Sequence, residues 1–197
     1  MRLLFISLPL LLLSSCLIAG NEFNYDKTST LDFNQINSAE YIGHFGEPYR
    51  TLTKTTGDGT YKQVVFYRSS KPFLGEVSRR TLILEFKDER LNAYIYASSF
   101  DSGKTRIDLS KASQIKVGVS TKIDLLTSLG KPYGKALCPS LLRDFKDRCA
   151  KSKEVWSWIE VNKTPTFGNI DPLYIKSLFV MFDADGKVID LESNDSQ

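Results

Sequence analysis

Thr121 to Pro132 reads Thr-Lys-Ile-Asp-Leu-Leu-Thr-Ser-Leu-Gly-Lys-Pro, and Asn37 to Pro48 reads Asn-Ser-Ala-Glu-Tyr-Ile-Gly-His-Phe-Gly-Glu-Pro. In both stretches a residue able to cap a helix is followed by apolar residues three and four apart, then by Gly and, two positions later, by Pro. Glycine just past a helix and proline soon after it are typical of a helix end. The two stretches therefore predict two short helices that end just before Gly46 and Gly130.

Strand-like segments follow both helices, which indicates that a whole helix-plus-sheet unit is repeated. The strands predicted after the first helix are 62–68, 80–87 and 91–100, and those predicted after the second are 154–161, 176–183 and 188–191. Their alternating apolar residues and short polar connections favour antiparallel pairing. The predicted fold class is α+β: two tandem units, each a short helix or helix pair packed on a three-stranded antiparallel sheet.

The domain organisation follows from these two units and the segments around them. With 197 residues, the chain is long enough for two small units that share a core. The predicted segments are a signal peptide (1–15), a flexible tether (16–33), a first unit (34–100), a linker (101–114), a second unit (115–192) and a disordered tail (193–197).

Composition and charge argue against two classes of protein. The chain is 42% hydrophobic and 25% charged, which is typical of a folded protein and leaves disorder only for its ends. Its net charge is +3, and Lys and Arg are interspersed with Asp and Glu instead of forming a stripe. We therefore expect no nucleic-acid partner.

The N-terminus predicts an exported protein. Arg2 precedes the apolar run Leu3 to Leu13, which is too short to cross a bilayer permanently but has the length of a secretory signal. The run ends in Leu13-Ser14-Ser15-Cys16, which resembles the lipobox of bacterial lipoproteins. This resemblance implies cleavage before Cys16 and a diacylglycerol, with further acylation such as palmitate, on that residue. The protein would thus be held on a membrane by its N-terminal lipid.

The alternative is an ordinary signal peptide in which Cys16 has no special role. It is less favoured because no pair of suitably spaced small residues marks a cleavage point between Ser14 and Asn21. The number of cysteines points the same way, since three cysteines leave one over if two of them pair. We predict that Cys138 and Cys149 form the disulfide.

Both of these cysteines lie in a segment, 135–153, that looks inserted into the second unit, where Leu141, Leu142 and Phe145 are spaced as one face of a short helix. Other roles for the pair are less favoured. A zinc site would need further ligands, and the one histidine, His44, is in the other unit. A redox pair would more often have the Cys-x-x-Cys spacing.

No catalytic, cofactor-binding or metal-binding constellation is expected, so we predict that the protein is not an enzyme. His44 falls in the last turn of the first helix, where a structural role suffices, and no nucleophile is placed beside it. Ser113-Gln114-Ile115-Lys116 matches the Ser-x-x-Lys pattern of penicillin-recognising enzymes, but its companion patterns are missing. Asp183 to Lys187 starts like a calcium loop, but Met181 stands where an earlier oxygen ligand would be needed and no Glu follows at the end of the loop, so a hairpin turn is favoured. A hydrolase with an unrecognised site is the least favoured alternative.

Four aromatic residues are candidates for contact with a partner: Tyr61, Tyr67, Trp156 and Trp158. The two tryptophans are two residues apart in a predicted strand and so share one face. They either pack against the helix of their unit or form an exposed patch. Packing is favoured because large aromatic residues on a strand that faces a helix are usually buried.

Several segments of the second half resemble one family. They are Lys116-Val117-Gly118-Val119-Ser120-Thr121, Leu129-Gly130-Lys131-Pro132, Val155-Trp156-Ser157-Trp158 and Leu178-Phe179-Val180-Met181-Phe182-Asp183-Ala184-Asp185-Gly186-Lys187-Val188. Together they resemble the SmpA/OmlA (BamE-like) family of small bacterial outer-membrane lipoproteins. The resemblance covers roughly Ile115 to Leu191 and, more weakly, Gln35 to Phe100. A tandem of such units is also similar in layout to the β-lactamase inhibitory proteins.

The family resemblance implies helices packed on a three-stranded antiparallel sheet and a function exerted by contact, in the best-known case as an accessory of outer-membrane assembly. We therefore expect a lipid-anchored interaction protein of the cell envelope with an unidentified envelope protein as partner. Leu17 follows Cys16, where Asp would indicate retention in the inner membrane, so the outer membrane is the expected location. Its periplasmic side is favoured over the cell surface. The alternative is a binder or inhibitor of a periplasmic enzyme that uses the sheet face formed by the two adjoining units.

Overall fold

The computed structural model describes residues 17–31, 33, 38–72, 75–165 and 175–196. The strands are β1 Leu17–Gly20, β2 Arg50–Thr56, β3 Gly59–Lys71, β4 Glu76–Lys87, β5 Arg90–Ser98, β6 Gly134–Leu137, β7 Glu154–Val161, β8 Thr164–Pro165, β9 Ile175–Phe182 and β10 Val188–Ser196. The α-helices in this part of the chain are α1 Ser38–Phe45, α2 Lys122–Leu129 and α3 Arg143–Lys146. Short 3-10 helices cover Tyr25–Thr30, Leu109–Gln114 and Arg148–Ala150. The predicted signal peptide and Cys16 lie outside the described residues.

Both predicted helix ends are confirmed. Helix α1 ends at Phe45 and α2 at Leu129, and the glycines that follow have φ of +96° at Gly46 and +76° at Gly130. Positive φ is readily adopted by glycine, which explains why the helices stop there. At the start of α2, the Thr121 side chain and Asp124 exchange hydrogen bonds with each other's backbone N–H groups, forming a capping box.

The strands form one continuous antiparallel sheet in the order β1-β3-β4-β5-β6-β7-β9-β10, with β2 also paired to β3 and β8 to β4. The predicted fold class, two units each built on its own three-stranded sheet, is therefore wrong. The order of a helix followed by four strands does recur, as α1-β2-β3-β4-β5 and α2-β6-β7-β9-β10. These strands are joined edge to edge, since β6 pairs with β5 on one side and with β7 on the other.

Strand β6 is the element that overturns the prediction. It is four residues long, and we expected it to belong to the inserted segment. Pairing there requires Gly134, because a Cβ at this position would lie 2.3 Å from Oγ of Ser157 and 2.9 Å from the carbonyl oxygen of Tyr94. Glycine thus lets three backbones approach closely at the junction of the two halves.

The first face of the sheet is the one covered by α1 and α2. Phe45 of α1 and Leu125 of α2 are 1% and 0% exposed, and each lies in a buried cluster on this face. Trp156 and Trp158 belong to the cluster beneath α2. Tyr133 packs against both clusters, so they form adjoining parts of one layer.

The second face of the sheet is covered in part by the cysteine insert, defined here as residues 138–153. Leu142 and Phe145 of the insert are buried against Ala93, Ile95 and Val155, whose side chains point to this face. The predicted helical face of the insert is therefore real, although α3 is only four residues long. The sheet is buried on both sides where the insert crosses it.

The two ends of the described chain are more regular than predicted. Leu17–Gly20, expected to belong to a flexible tether, forms β1 and pairs with β3 from Lys71 to Arg68. Phe23 anchors the following residues because its side chain is 4% exposed within the first-face core. At the other end, β10 pairs with β9 as far as Ser196, so the predicted disordered tail is a strand up to that residue. Among the described helices, none is both long and apolar enough to cross a membrane.

Candidate functional site

A groove of about 580 Å³ opens on the second face, beside the cysteine insert. It lies beyond the Gly134 end of β6. Strand β6 separates β5 from β7 only as far as Gly134, which pairs with Ile95 on one side and Ser157 on the other. The chain enters β6 through Tyr133, so the ends of β5 and β7 beyond this point have no strand between them. The groove lies along this seam.

The floor of the groove is apolar. Its side chains come from β4, β5, β7 and β9, and they are Ile83, Ile95, Ala97, Ile159, Val161, Ile175 and Phe179. Pairing of β4 with β5 and of β7 with β9 sets these side chains side by side across the strands, as in the pair Ile83 and Ile95. Because side chains alternate between faces along a strand, the residues between them point into the first-face core.

The rim of the groove is polar and carries both signs of charge. It consists of Arg79, Thr81, Asp144, Arg148, Ser177 and Asn194. The guanidinium carbon of Arg148 lies 3.8 Å from the centroid of the Phe179 ring, and its Nη2 lies 2.6 Å from Oε2 of Glu192. These contacts hold the arginine above the floor. The side chains of Asp144 and Asn194 are exposed and make no hydrogen bond or ion pair within the described part of the chain.

Glu85 fastens the insert that forms one wall of the groove. Its carboxyl group is fully buried and accepts hydrogen bonds from the Ser140 hydroxyl at 2.7 Å, the Leu141 N–H at 3.0 Å, the Asn92 side chain at 3.0 Å and the Gln63 side chain at 3.1 Å. A buried carboxyl group is tolerated when its oxygens are satisfied in this way. The position of the insert on the sheet is thus fixed by hydrogen bonds as well as by packing.

The cysteine pair closes the same insert. The structure places the Cα atoms of Cys138 and Cys149 5.1 Å apart with their sulfurs in contact, so the pair can form the predicted disulfide. Cys149 directly follows Arg148, and Phe145 contacts the Phe179 ring at 6.1 Å between centroids. The bond would therefore hold the rim arginine and the wall of the groove together.

The four aromatic residues that the sequence offered as partner contacts are not gathered at the groove. Tyr61, Trp156 and Trp158 are 1%, 3% and 1% exposed, so they belong to the core. Tyr67 is half-buried on β3, with its ring 5.5 Å from that of Tyr49. Packing is thus the correct interpretation of the two tryptophans, and none of the three buried rings is available to a partner.

His44 lies at the end of α1 on the first face, with its Nε2 atom 3.9 Å from Oε1 of Glu40. The groove opens on the other face of the sheet, so His44 is not part of it. Within the ranges that the structure describes, no group of three or more His, Cys, Asp or Glu side chains is arranged to hold a metal ion.

Sequence reasoning missed the residues that build the groove. Side-chain alternation along β4 puts Ile83 and Glu85 on the second face of the sheet. These residues were missed because only the first face, which the helices cover, was expected to be buried. The available signal was an isoleucine on that second face of β4, continued by Ile95, Ile159 and Phe179 on strands that prove to be neighbours.

Comparison with known proteins gives one distant similarity. No family model matches the chain, and no curated protein matches its sequence, so the resemblance to SmpA/OmlA stays a prediction. Among solved structures, the chain is similar to a crystal structure of a "putative beta-lactamase inhibitor protein" from Streptococcus mutans, with a TM-score of 0.44 and 12% identity over 84% of this chain and 89% of that one. A similarity this weak establishes neither a shared fold nor a shared activity.

Proposed function

We propose that this chain is a lipid-anchored binding protein of the bacterial cell envelope that docks a loop of a protein partner in the groove. The anchor rests on the lipobox ending in Cys16. The docking rests on one observation: an apolar groove with a charged rim on a sheet face that the insert leaves partly open. Buried apolar anchors surrounded by polar contacts are what most protein–protein interfaces consist of.

The chemistry of the groove describes the docked loop. Ile83, Ile159 and Phe179 provide an apolar floor that suits one large aliphatic or aromatic side chain. Full burial of such a side chain contributes about 1.5–3 kcal/mol to binding. The unpaired carboxylate of Asp144 on the rim favours a Lys or Arg beside that anchor. The occupant is therefore a protein loop that carries a large apolar residue next to a basic one.

Site-directed photocrosslinking in intact cells tests the docking. A photoreactive amino acid replaces Thr81 at the rim in the full-length chain, and the control replaces the exposed Thr53 of β2. We expect one defined envelope protein to be crosslinked from position 81 and not from position 53. Crosslinking should be lost when Ala97→Trp fills the groove, and should fall when Asp144→Lys reverses the rim charge. Equal products from both positions, no product, or products that survive Ala97→Trp would contradict the proposal.

The identity of the crosslinked protein separates two versions of this function. An accessory role in outer-membrane assembly requires a component of that machinery. A periplasmic enzyme would instead support the alternative of a binder or inhibitor, and its activity should then be inhibited by the full-length protein in detergent but not by the Ala97→Trp variant. The anchor is tested separately by fatty-acid labelling, which we expect in the wild type and not in Cys16→Ser.

A further inference from the structure

A second pocket, of about 410 Å³, opens on the first face, away from the groove. It lies between the N-terminal 3-10 helix and the end of α2, above the seam where β5 meets β6. Its lining is about equally polar and apolar. The apolar part consists of the rings of Tyr94, Tyr96 and Tyr133 with Leu31, Leu126 and Pro132, and the polar part of Thr28, Ser29, Lys131 and Lys135. Neither the proposed anchor nor the proposed docking site uses any of these residues.

Two hydrogen-bond donors line this pocket next to each other. Tyr94 and Lys135 are directly opposed on the antiparallel strands β5 and β6, on the same face of the sheet. Within the described residues, neither the Tyr94 hydroxyl nor the Lys135 ammonium has a hydrogen bond or an ion pair. The Lys135 ammonium lies 4.5 Å from the centroid of the Trp156 ring. This cation–π contact positions the ammonium but does not neutralise its charge.

The acidic side chain that acts on Lys135 is already engaged. Glu154 accepts a hydrogen bond from the Lys122 ammonium and another from the indole N–H of Trp156. Lys122 thus has a carboxylate partner, whereas Lys135 has only the aromatic ring. A half-buried ammonium without a counter-ion is unusual, because burial penalises its charge unless an anion compensates.

The burial of both groups is reflected in their titration. Burial lowers the pKa of Lys135. Glu154 partly opposes this effect, and the cations Lys122 and Lys131 add to it. Burial, with a smaller contribution from Glu154, raises the pKa of Tyr94 to about 12, so its hydroxyl remains a donor at neutral pH. A bound anion would stabilise both protonated groups.

We infer that this pocket binds a small organic carboxylate, with Lys135 and Tyr94 donating to the carboxylate and the tyrosine and proline walls covering an apolar or aromatic body. Two adjacent donors match the two oxygens of one carboxylate. The tyrosine and proline walls favour an organic acid over inorganic phosphate. The hydroxyls of Thr28 and Ser29 already donate to backbone carbonyls, so they offer no donor to the remaining phosphate oxygens.

Isothermal titration calorimetry on the full-length protein in detergent tests the inference with three probes: benzoate, its uncharged analogue benzamide, and inorganic phosphate. Benzoate should bind at least about tenfold more tightly than either of the others, as expected for charge-assisted hydrogen bonds. Benzoate that binds no more tightly than benzamide, or no binding of either, would overturn the inference. Phosphate that binds more tightly than benzoate would also overturn it.

Two variants assign the binding to these residues. Lys135→Met should weaken benzoate about tenfold or more, and Tyr94→Phe about two- to tenfold, while both leave benzamide unchanged. The exposed Lys116→Met is the matched control and should bind benzoate like the wild type. Unchanged benzoate affinity in Lys135→Met would contradict the assignment.

A measurement on the wild type avoids any dependence on variant folding. The 13Cε resonance of Lys135 reports its titration, and saturation with benzoate should raise the pKa of Lys135 from its lowered value. Benzoate affinity should correspondingly fall as the pH is raised through the pKa of the free protein. A resonance that titrates identically with and without benzoate would overturn the inference.

Discussion

Glu85 carries the largest concentration of hydrogen bonds in the candidate site. Four donors from β3, β5 and the cysteine insert converge on a carboxyl group that is 0% exposed. Removing the carboxyl group would leave the Ser140 hydroxyl and the Leu141 N–H without this acceptor inside the protein, which costs far more than losing a surface interaction. This residue therefore links the stability of the sheet to the position of the groove wall.

Glu85→Ala should lower the free energy of unfolding by about 3–5 kcal/mol, because it removes the shared acceptor of four donors and leaves the buried Ser140 hydroxyl unpaired. Urea denaturation followed by tryptophan fluorescence measures the change. Glu76→Ala, at the exposed start of the same strand, is the control and should change stability by less than about 0.5 kcal/mol. A similar small effect for both variants would show that the hydrogen-bond cluster does not hold the insert.

Asp58 predicts a pH dependence of stability. Hydrogen bonds from Thr56, from Tyr61 at 2.8 Å and from Lys87 at 3.1 Å hold the pKa of Asp58 below its usual range. A carboxyl group with a lowered pKa in the folded state stabilises the protein above its unfolded pKa, and this contribution is lost as the pH falls through the folded value.

The wild type should therefore melt at a higher temperature than Asp58→Asn at neutral pH, and the difference should shrink progressively as the pH falls below about 4, the ordinary pKa of Asp. Thermal unfolding followed by circular dichroism across this pH range measures both proteins. Asp26→Asn, an exposed aspartate on the N-terminal 3-10 helix, should follow the wild type at every pH. A difference between wild type and Asp58→Asn that grows on acidification would contradict this reasoning.

At the scale of elements, the cysteine insert and β6 make the site. The insert covers only part of the second face. Strand β6 separates β5 from β7 only as far as Gly134, and the groove lies along the seam beyond that residue. Strand β1 bears on the proposed anchor. Leu17 already pairs with Lys71 of β3, so the described chain is held at the edge of the sheet from Leu17 onward.

Closing the insert with a disulfide should stabilise the protein by about 3 kcal/mol in the chain-entropy model. Urea denaturation of the wild type should thus shift to lower concentration when a reductant is added, and the double variant Cys138→Ser/Cys149→Ser should unfold like the reduced wild type. The double variant serves as its own control, since the reductant should not affect it. A wild type insensitive to reductant would show that the two sulfurs are not bonded in the protein.

At the scale of the whole molecule, one antiparallel sheet replaces the two that the repeat suggested. The junction depends on close approach of three strands at Gly134, where the neighbouring Ser157 hydroxyl leaves no space for a side chain. Everything placed across the junction, including the groove on one face and the Tyr94 and Lys135 pocket on the other, depends on that approach.

Gly134→Val should therefore destabilise the protein by about 1–3 kcal/mol or more through steric overlap with the neighbouring strands. It should also speed amide exchange of Tyr96, whose N–H donates to the Tyr133 carbonyl across the junction at 2.9 Å. Gly57→Ala, where an added Cβ meets no atom within 4 Å, is the control and should leave this exchange unchanged. Wild-type exchange at Tyr96 in Gly134→Val would mean that the junction does not need glycine.

Particular residues show what the sequence determined by itself. The capping residues and glycines around α1 and α2 act within a few positions of each other, so they specify the helix ends locally. The alternation along β4 and β9 likewise predicted strands and buried faces. The cysteine pair and the spacing of Leu142 and Phe145 in the insert were also readable, because they lie close together in sequence.

Only the tertiary structure decided how the halves combine and where the site lies. Strand β6 has four residues and no strong β propensity, and it becomes a strand because β5 and β7 offer it unpaired edges. The groove brings Ile83 and Ile159 together from strands far apart in sequence, and Lys135 meets Tyr94 only through pairing across the junction. Local patterns constrain neighbours along the chain, whereas strand order and uncovered surface depend on long-range pairing that periodicity does not encode.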